Sequence, residues 1–382
     1  MVYLYNISYF YKKVNTLKRK KIVISGINMV EGGIFTILHN VLQELSEYNK
    51  TQTFQIIALV HDASKFNFSN IEIIEIPNSK KSWLYRCYYE YFYFKKLSKK
   101  IQPDVWLSLH DTTPRVIAKK QFVYCHHPTT FFKPTWKDWK FNYKIGIFSL
   151  LYDSLFKLNI TKNHTVFVQQ HWIKEIFEKR FKISNVKVAT PEYVEEITTE
   201  KYNFEPNFIH FFYPSFPRSF KNHEVILEAI QLLPKPISDK TQFHFTTIKN
   251  NKEKYAQFLI QEYGFLKNVH FYTKVKRNQL LAMYNAMDCL IFPSKVETWG
   301  LPISEAKIYK KPLFLANLPY AKETCGEYEM VSFFDEKNAE ELAKLITEFV
   351  EEKHVFQGNT ITYDSSKDLH NWKELFQYIL TD

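Results

Sequence analysis

Short runs of apolar and β-branched residues recur along this chain and alternate with segments of helical periodicity. Such runs are typical of buried parallel strands, and their alternation with helices predicts βαβ units. The first series comprises KIVISG (21–26), FQIIALV (54–60), IEIIEIP (71–77), DVWLSL (104–109), QFVYCH (121–126) and TVFVQQ (165–170). Helical spacing over 34–47 and 81–100 separates some of these runs. The alternation therefore predicts a doubly wound parallel sheet.

The same alternation begins again after the acidic stretch EYVEEITTEKYNFEPN (192–207), which we interpret as a linker. The second series of strands comprises FIHFFYP, QFHFTTI, VHFYTKV, CLIFPS, PLFLAN and VSFFD. Helical segments are predicted over 222–233, 251–264, 278–287, 302–310 and 339–352. Because single cores stop growing at roughly 250 to 300 residues, a chain of 382 residues favours two domains. We therefore predict an α/β protein of two Rossmann-like, doubly wound domains facing a cleft.

Composition and cysteine usage limit the class of protein further. Hydrophobic residues make up 45% of the chain and aromatic residues 17%, enough for two cores and against intrinsic disorder. The N-terminal MVYLYNISYFYKKVNTLKRKK lacks the apolar core of a signal peptide, and IGIFSLLYDSLF is too short and polar to span a bilayer. Four scattered cysteines without paired spacing favour a reducing compartment: Cys87, Cys125, Cys289 and Cys325. The expected location is the cytoplasm.

Charge is distributed unevenly along the chain. Residues 1–191 contain 29 Lys and Arg against 13 Asp and Glu, a net +16, whereas residues 192–382 contain 22 against 27, a net −5. The basic half is compatible with a solvated face or with contact to an anionic surface. Lysines interleaved with aromatics, as in WLYRCYYEYFYFKKLSKK, favour a membrane interface over nucleic acid. No nucleic-acid-binding motif is recognised, so no such partner is expected.

The segment SKVETWGLPISEA (294–306) carries the most informative polar residues. It follows the strand CLIFPS, so Glu297 is expected in the loop at a strand's carboxyl end. Pro302 at a first helical position places Glu305 in the first turn of a helix. Gly300 permits close backbone approach, and free N–H groups at a helix start favour a phosphate. One loop can thus hold a polyol, an anion and a ribose, although two glutamates at this spacing also suit an exposed helix.

The string E-T-W-G-L-P-I-S-E-A resembles the E-x7-E motif of retaining GT-B glycosyltransferases of family 4, which usually reads E-G-F-G-L-P-x-x-E-A. EGGIFTILHNVLQEL is similar to the family's glycine-rich loop, where Gly32 and Gly33 would approach the donor diphosphate. FVYCHHPTTFF is similar to a segment whose histidine, here His126, lies near the donor sugar. His126 and His127 also suit a polar loop pair, and no spaced third ligand indicates a metal site.

The resemblance extends to the organisation of the chain. DSSKDLHNWKELFQYIL resembles the terminal helix that crosses back to the N-terminal domain in the GT-B fold. The implied domains are an acceptor-binding domain over 1–195, a nucleotide-sugar donor domain over 196–365 and a terminal helix over 366–382. The family is generally metal-independent, so neither a metal nor another cofactor is expected.

The resemblance also implies roles for individual residues. Glu297 would bind donor-sugar hydroxyls and Glu305 the ribose hydroxyls, while main-chain groups near Val275 would hold the base. Backbone N–H groups from the intervening segment would hold sugar and phosphate: Thr298, Trp299, Gly300 and Leu301.

The leaving diphosphate needs positive charge from elsewhere in the chain. In YPSFPRSFKNHEVILEAI, Lys221 matches the family's phosphate-binding lysine, but Phe216 stands at the usual arginine position. Arg218 is the candidate substitute. Together with His126 and Glu297, Lys221 completes the set of predicted catalytic residues.

The resemblance implies retaining transfer of a hexosyl group from a GDP- or UDP-linked sugar to a saccharide or lipid-linked glycan. Bacterial surface polysaccharide or lipopolysaccharide synthesis is the expected setting, with peripheral association at the inner face of the cytoplasmic membrane. Two alternatives stay open. One is a GT-B nucleotide-sugar epimerase, which needs no acceptor, and the other is a non-catalytic partner subunit, suggested by the missing arginine.

Overall fold

The computed structural model describes residues 19–127, 131–191 and 197–381. Most of the N-terminal segment and residues 192–196 of the predicted linker lie outside these ranges. The first sheet has seven parallel strands in the order β3-β2-β1-β4-β5-β6-β7. These are β1 (Lys20–Ser25), β2 (Phe54–Val60), β3 (Ile71–Glu75), β4 (Val105–Ser108), β5 (Lys120–Cys125), β6 (Thr165–Val168) and β7 (Val186–Val188). The six predicted runs coincide with β1 to β6, whereas β7 is too short to stand out in the sequence.

The helices of the first domain cover the two faces of this sheet. They are α1 (Gly32–Tyr48), α2 (Trp83–Tyr88), α3 (Phe94–Ile101), α4 (Trp136–Lys157) and α5 (His171–Phe181). A π-helical turn over Tyr89–Tyr93 joins α2 to α3. The long helix α4 is kinked at Asn142, whose backbone leaves the helical region at φ −151° and ψ 82°.

The second sheet has six parallel strands in the order β10-β9-β8-β11-β12-β13. These are β8 (Ile209–Tyr213), β9 (Thr241–Phe245), β10 (Val269–Phe271), β11 (Cys289–Phe292), β12 (Leu313–Ala316) and β13 (Val331–Phe334). The helices around it are α6 (His223–Leu232), α7 (Lys235–Ser238), α8 (Lys254–Tyr263), α9 (Arg277–Ala286), α10 (Leu301–Ile308), α11 (Pro319–Cys325) and α12 (Ala339–Val350). Aromatic side chains contribute much of its core. Phe211 of β8 stacks on Phe243 of the neighbouring strand β9 and on Phe314 of β12, two strands away.

Both sheets reverse their strand order at the centre. In the first sheet the reversal falls between the paired strands β1 and β4, and in the second between β8 and β11. Loops after the strands on either side of such a reversal diverge to opposite faces and leave a crevice at the carboxyl ends. The fold thus predicts a ligand site in the crevice between the loops after β8 and β11.

The last helix, α13 (Trp372–Leu380), lies in the first domain. Its side chains Trp372, Leu375 and Phe376 are buried in one cluster with residues of β1 and α1. Just before the helix, the amide of Leu369 donates to the Val188 carbonyl at 3.0 Å, which extends the ladder beside β7. The end of the chain therefore stabilises the domain in which the chain begins.

Helices α4 and α5 of the first domain contact the second domain. Phe141 of α4 packs against Phe258 of α8 at a ring-centroid distance of 4.8 Å, and Lys137 Nζ lies 2.7 Å from Glu224 Oε1. At the start of α5, the amide of His171 donates to Glu323 Oε1 at 2.6 Å. These contacts hold the two sheets on either side of the cleft.

Within the described ranges, none of the helices combines the length and apolar character required to cross a lipid bilayer.

Candidate active site

A lysine and a glutamate meet at the reversal point of the second sheet. Lys221 ends a short 3-10 turn after β8, and Glu297 lies in the loop after β11. Because β8 and β11 are neighbours, both loops begin at the same edge of the sheet, and Lys221 Nζ forms an ion pair with Glu297 Oε1 across the crevice. Both side chains are largely buried, and the Tyr213 hydroxyl donates to the Lys221 carbonyl at 2.6 Å. The predicted sugar-binding carboxylate and phosphate-binding cation therefore share one site.

The loop that carries Glu297 is fixed on its C-terminal side. The indole Nε1 of Trp299 donates to Ser304 Oγ at 3.1 Å, and the Trp299 carbonyl accepts from the Thr324 hydroxyl. Gly300 caps α10 in the left-handed region with φ 91°, where a Cβ would lie 3.3 Å from Ile303 Cδ1. The turn therefore requires glycine.

Glu305 and Arg277 form a second ion pair in this domain. The sequence predicted Glu305 in the first turn of its helix. Since α10 begins at Leu301, Glu305 is its fifth residue and lies just beyond the first turn. Its carboxylate is nearly buried, and Oε1 accepts from Nη1 of Arg277, the first residue of α9. The sequence interpretation missed Arg277, although it lies two residues after the predicted base-binding Val275.

In the first domain, Asp111 fixes the two histidines that follow β5. Asp111 adopts φ 73°, and its Oδ1 accepts from the amides of His126 at 2.8 Å and His127 at 2.9 Å. Its Oδ2 lies 3.9 Å from His126 Nε2. The sequence interpretation missed Asp111 as well, although an acidic residue soon after the β4 strand run was a usable signal.

Burial sets the charge state of both histidines. It lowers the pKa of His126, although the carboxylate of Asp111 opposes the shift. Burial lowers the pKa of His127 to about 4, although the Asp111 carboxylate acts in the opposite direction. The His127 ring stacks on the Tyr152 ring with a centroid distance of 4.4 Å. Both imidazoles are therefore neutral at pH 7, and a neutral ring can donate one hydrogen bond and accept another. Nδ1 of His126 is buried without a hydrogen-bond partner among the described residues.

One hydrogen bond joins the histidine loop to the glutamate loop across the cleft. The Thr298 hydroxyl donates to the His126 carbonyl at 3.0 Å, although the two residues are 172 positions apart. The predicted residues His126, Thr298, Glu297 and Lys221 thus lie in one continuous chain of contacts.

The other predicted residues lie around this centre. Arg218 is exposed just before the turn that ends at Lys221. Its positive charge also lowers the pKa of His127, but by less than burial does. Val275 is half-buried between β10 and α9 and packs on the core of the second domain. Gly32 and Gly33 begin α1, where Glu31 makes no side-chain capping bond and a Cβ on Gly33 would meet no atom within 4 Å.

A buried charge network lies behind the first-domain loop. Arg86 Nε is 2.7 Å from Glu90 Oε1, and Arg86 Nη2 donates to the His110 carbonyl at 2.8 Å. Thr112 donates its hydroxyl to Glu90, while His110 Nε2 lies 3.0 Å from Ser25 Oγ. Burial works to raise the pKa of Glu90, but Arg86 and His110 lower it to about 2. The network fixes the carboxyl ends of β1 and β4 beside Asp111.

Comparison with known proteins finds a family match for the second domain. Residues 194–364 match the family model described as "Glycosyl transferases group 1", and this range contains Lys221, Glu297 and Glu305. No curated protein matches the chain by sequence.

Several solved structures share the fold along most of the chain. WaaG, a glycosyltransferase involved in lipopolysaccharide biosynthesis, has a TM-score of 0.64 at 14% identity, covering 94% of this chain and 100% of its own. The lipopolysaccharide outer core galactosyltransferase WaaB has a TM-score of 0.62 at 13% identity, covering 95% and 99%. HepE from Anabaena in complex with UDP-glucose has a TM-score of 0.57 at 14% identity, covering 87% and 90%.

At these identities the structural likeness establishes the fold alone. The predicted fold class, GT-B with two Rossmann-like doubly wound domains, is confirmed. The family match of the second domain and the fold together support a glycosyltransferase with this fold.

Proposed function

We propose that the protein is a retaining glycosyltransferase that moves a hexosyl group from a nucleotide-diphosphate sugar to a saccharide acceptor. The observation that carries the proposal is the Lys221–Glu297 pair at the reversal point of the second sheet, joined through Thr298 to His126 of the first domain. A carboxylate suits sugar hydroxyls, and a lysine suits a diphosphate, so the pair matches the two halves of a nucleotide sugar.

The proposed reaction forms a bond between the acceptor oxygen and the anomeric carbon while the bond from that carbon to the diphosphate breaks. The leaving diphosphate keeps the bonding electron pair and receives the acceptor proton, and attack on the face it leaves retains the configuration. Lys221 and the exposed Arg218 would stabilise the negative charge that develops on the diphosphate. The free N–H groups at the start of α1, at Gly32 and Gly33, would add a helix N-terminus.

Glu297 would bind the donor-sugar hydroxyls beside the positive anomeric region and is not proposed as a nucleophile. His126, neutral at pH 7, would offer a ring nitrogen to the sugar. Glu305 would accept from the ribose hydroxyls, next to the base held by main-chain groups near Val275. In this proposal the protein's own cations neutralise the diphosphate, and no metal ion takes part.

A thermal-shift panel with UDP, GDP, ADP and CMP tests the donor site. A ligand present at 100 times its Kd and bound only to the folded state adds about 2.7 kcal/mol of stability. We expect one nucleotide, UDP or GDP, to raise the Tm of the wild type and to lose this effect in Glu305→Ala. Glu340→Gln, which alters an exposed glutamate in α12, serves as the control and should keep the shift.

Different outcomes favour different functions. If no nucleotide raises the Tm, the assignment of a donor site is wrong, and a non-catalytic partner subunit is favoured. A shift together with conversion of the nucleotide sugar in the absence of an acceptor would favour an epimerase. A shift together with transfer of the sugar to an acceptor, with the anomeric configuration retained by NMR, supports the proposal.

For the acceptor we propose a lipid-linked or lipopolysaccharide glycan at the inner face of the cytoplasmic membrane. The support is a set of exposed apolar side chains on α2, the π-helical turn and α4, which we call the aromatic face. It comprises Leu84, Tyr85, Tyr88, Phe92, Trp136, Trp139, Tyr143, Ile147, Leu150 and Leu151. Exposed lysines of α3, such as Lys95 and Lys99, follow directly after the π-helical turn. Aromatic residues beside lysines suit an anionic headgroup layer.

Sedimentation with vesicles tests this membrane contact. We expect binding at low salt to vesicles containing phosphatidylglycerol and little binding to phosphatidylcholine alone. Phe92→Glu should weaken the binding at least about tenfold, because a buried aromatic side chain contributes about 1.5 to 3 kcal/mol. Phe265→Glu is the matched control, since Phe265 of the second domain is 66% exposed and Phe92 is 67% exposed. If both variants bind the vesicles equally well, the aromatic face does not contact the membrane.

A further inference from the structure

Thr298 ties the glutamate loop to the first domain through a side-chain hydrogen bond. Its hydroxyl donates to the His126 carbonyl at 3.0 Å, and Glu297 precedes it directly in the chain. A movement of Thr298 away from His126 would therefore also displace Glu297 and its partner Lys221.

The acceptor of this hydrogen bond is held in a fixed position. Asp111 accepts from the amides of both His126 and His127, so the peptide groups on either side of His126 are tied to one buried carboxylate. The Asp111 amide in turn donates to the Tyr124 carbonyl of β5 at 3.3 Å. The His126 carbonyl is thus a rigid feature of the sheet edge.

The donor side is held as well, by Tyr320 and Thr324 of the second domain, both of which accept hydrogen bonds from Gln170 of the first domain. The Ser294 carbonyl accepts from the Tyr320 hydroxyl at 2.6 Å, and the Trp299 carbonyl accepts from Thr324. Thr298 lies between these two anchors. Its hydroxyl can reach the other domain only when the two domains are close.

We propose that Thr298 is a positioning residue that couples closure of the two domains to the placement of Glu297. When the hydroxyl engages the His126 carbonyl, the sugar-binding carboxylate of one domain and the histidine of the other are set at their working separation. Without this bond, the loop at 294–300 keeps the burial of Val296 in one cluster with Phe132 of the first domain but loses the polar contact next to Glu297. The inference rests on the proposed function for its catalytic consequence, whereas the coupling itself is a property of the fold.

The remaining domain contacts would survive the loss of this bond. Gln170 Nε2 donates to Thr324 Oγ1 at 2.7 Å, Glu323 holds the start of α5, and Phe141 packs on α8. A variant lacking only the hydroxyl should therefore fold with both domains intact. Its defect should appear in turnover and in loop dynamics. Nucleotide affinity should change little, since none of the proposed contacts to the base, ribose or diphosphate uses the Thr298 hydroxyl.

The test compares Thr298→Val, which removes the hydroxyl at nearly constant shape, with Thr298→Ser, which keeps it. We expect Val to lower kcat about three- to tenfold, the range of one neutral hydrogen bond, with the Kd for UDP or GDP changed less than about twofold. Hydrogen exchange of a peptide spanning 293–301 should accelerate in Val and stay as in the wild type in Ser. Thr298→Ala provides a second hydroxyl-free variant, and melting temperatures verify folding.

Two results would overturn the proposal. Wild-type turnover and wild-type hydrogen exchange in both Thr298→Val and Thr298→Ala would show that the hydroxyl does not couple the domains. A loss of turnover in Thr298→Ser equal to that in Thr298→Val would show that packing, and not the hydroxyl, causes the effect. If the wild type neither binds a nucleotide nor transfers a sugar, the proposed function fails, while the exchange experiment still decides whether Thr298 couples the domains.

Discussion

Lys221→Met is expected to lower kcat by about 100-fold or more, because it removes the buried positive charge from the proposed diphosphate site. Removal of one preorganised group that stabilises developing negative charge typically costs roughly 10²- to 10³-fold in turnover. Methionine keeps the length and the apolar stem of lysine over the Phe292 ring, 5.9 Å from Lys221 Nζ, so packing changes little. Glu297 then also loses its partner. Steady-state kinetics with a saturating donor would measure the effect.

Lys295→Met is the matched control for this variant. Lys295 is a half-buried lysine in the same loop as Glu297, but its charge acts on Glu228 of α6. We expect it to keep turnover close to that of the wild type. If Lys221→Met keeps more than half of the wild-type turnover, the diphosphate is stabilised elsewhere and the assignment of Lys221 is wrong.

Glu90→Gln is expected to destabilise the protein by about 3 to 5 kcal/mol, the usual cost of removing one partner from a buried ion pair. The Arg86 guanidinium would stay buried with its charge uncompensated, and His110 and Thr112 would lose the carboxylate they contact. Urea unfolding followed by tryptophan fluorescence would measure the change. Glu47→Gln, which breaks the exposed Glu47–Lys50 pair of α1, should change the free energy of unfolding by less than about 1 kcal/mol.

The same carboxylate predicts a pH dependence. The folded-state pKa of Glu90 is lowered to about 2 from an ordinary value of 4.5, so its stabilising contribution is fully present above 4.5. It should be lost progressively as the pH falls from about 4.5 toward 2. The stability difference between the wild type and Glu90→Gln should therefore narrow over this window. A difference that is small at pH 7, or that stays constant down to pH 3, would contradict the account of the network.

The secondary structure was predictable wherever the chain repeats a strong local pattern. Runs such as FQIIALV and CLIFPS cover β2 and β11, because strands buried on both faces are apolar throughout. The strand β7 was missed because its three residues carry no period, and α4 was missed because its polar and apolar residues do not sort into one stripe. In α4 the contacts with α8 and the kink at Asn142 decide which side chains are buried, and these are tertiary effects.

For the candidate site, the sequence supplied the loop from Glu297 to Glu305 together with Lys221 and His126. The roles of these residues stay predictions, as do the domain limits. The sequence did not reveal Asp111 and Arg277 as partners, because each acts through a residue distant in the chain. Asp111 contacts His126, 15 positions later, and Arg277 contacts Glu305, 28 positions later. Only the packing of neighbouring strands and helices brings these groups together.

By itself, the sequence determined two doubly wound sheets and the polar residues at their edges, because strand periodicity and turn chemistry act over a few neighbouring residues. Tertiary structure alone decided which of these edges meet. The pairing of β8 with β11 joins Lys221 to Glu297. The placement of the two domains brings the Thr298 hydroxyl to the His126 carbonyl across 172 residues. Such contacts depend on how whole domains are placed, and no local pattern encodes that placement.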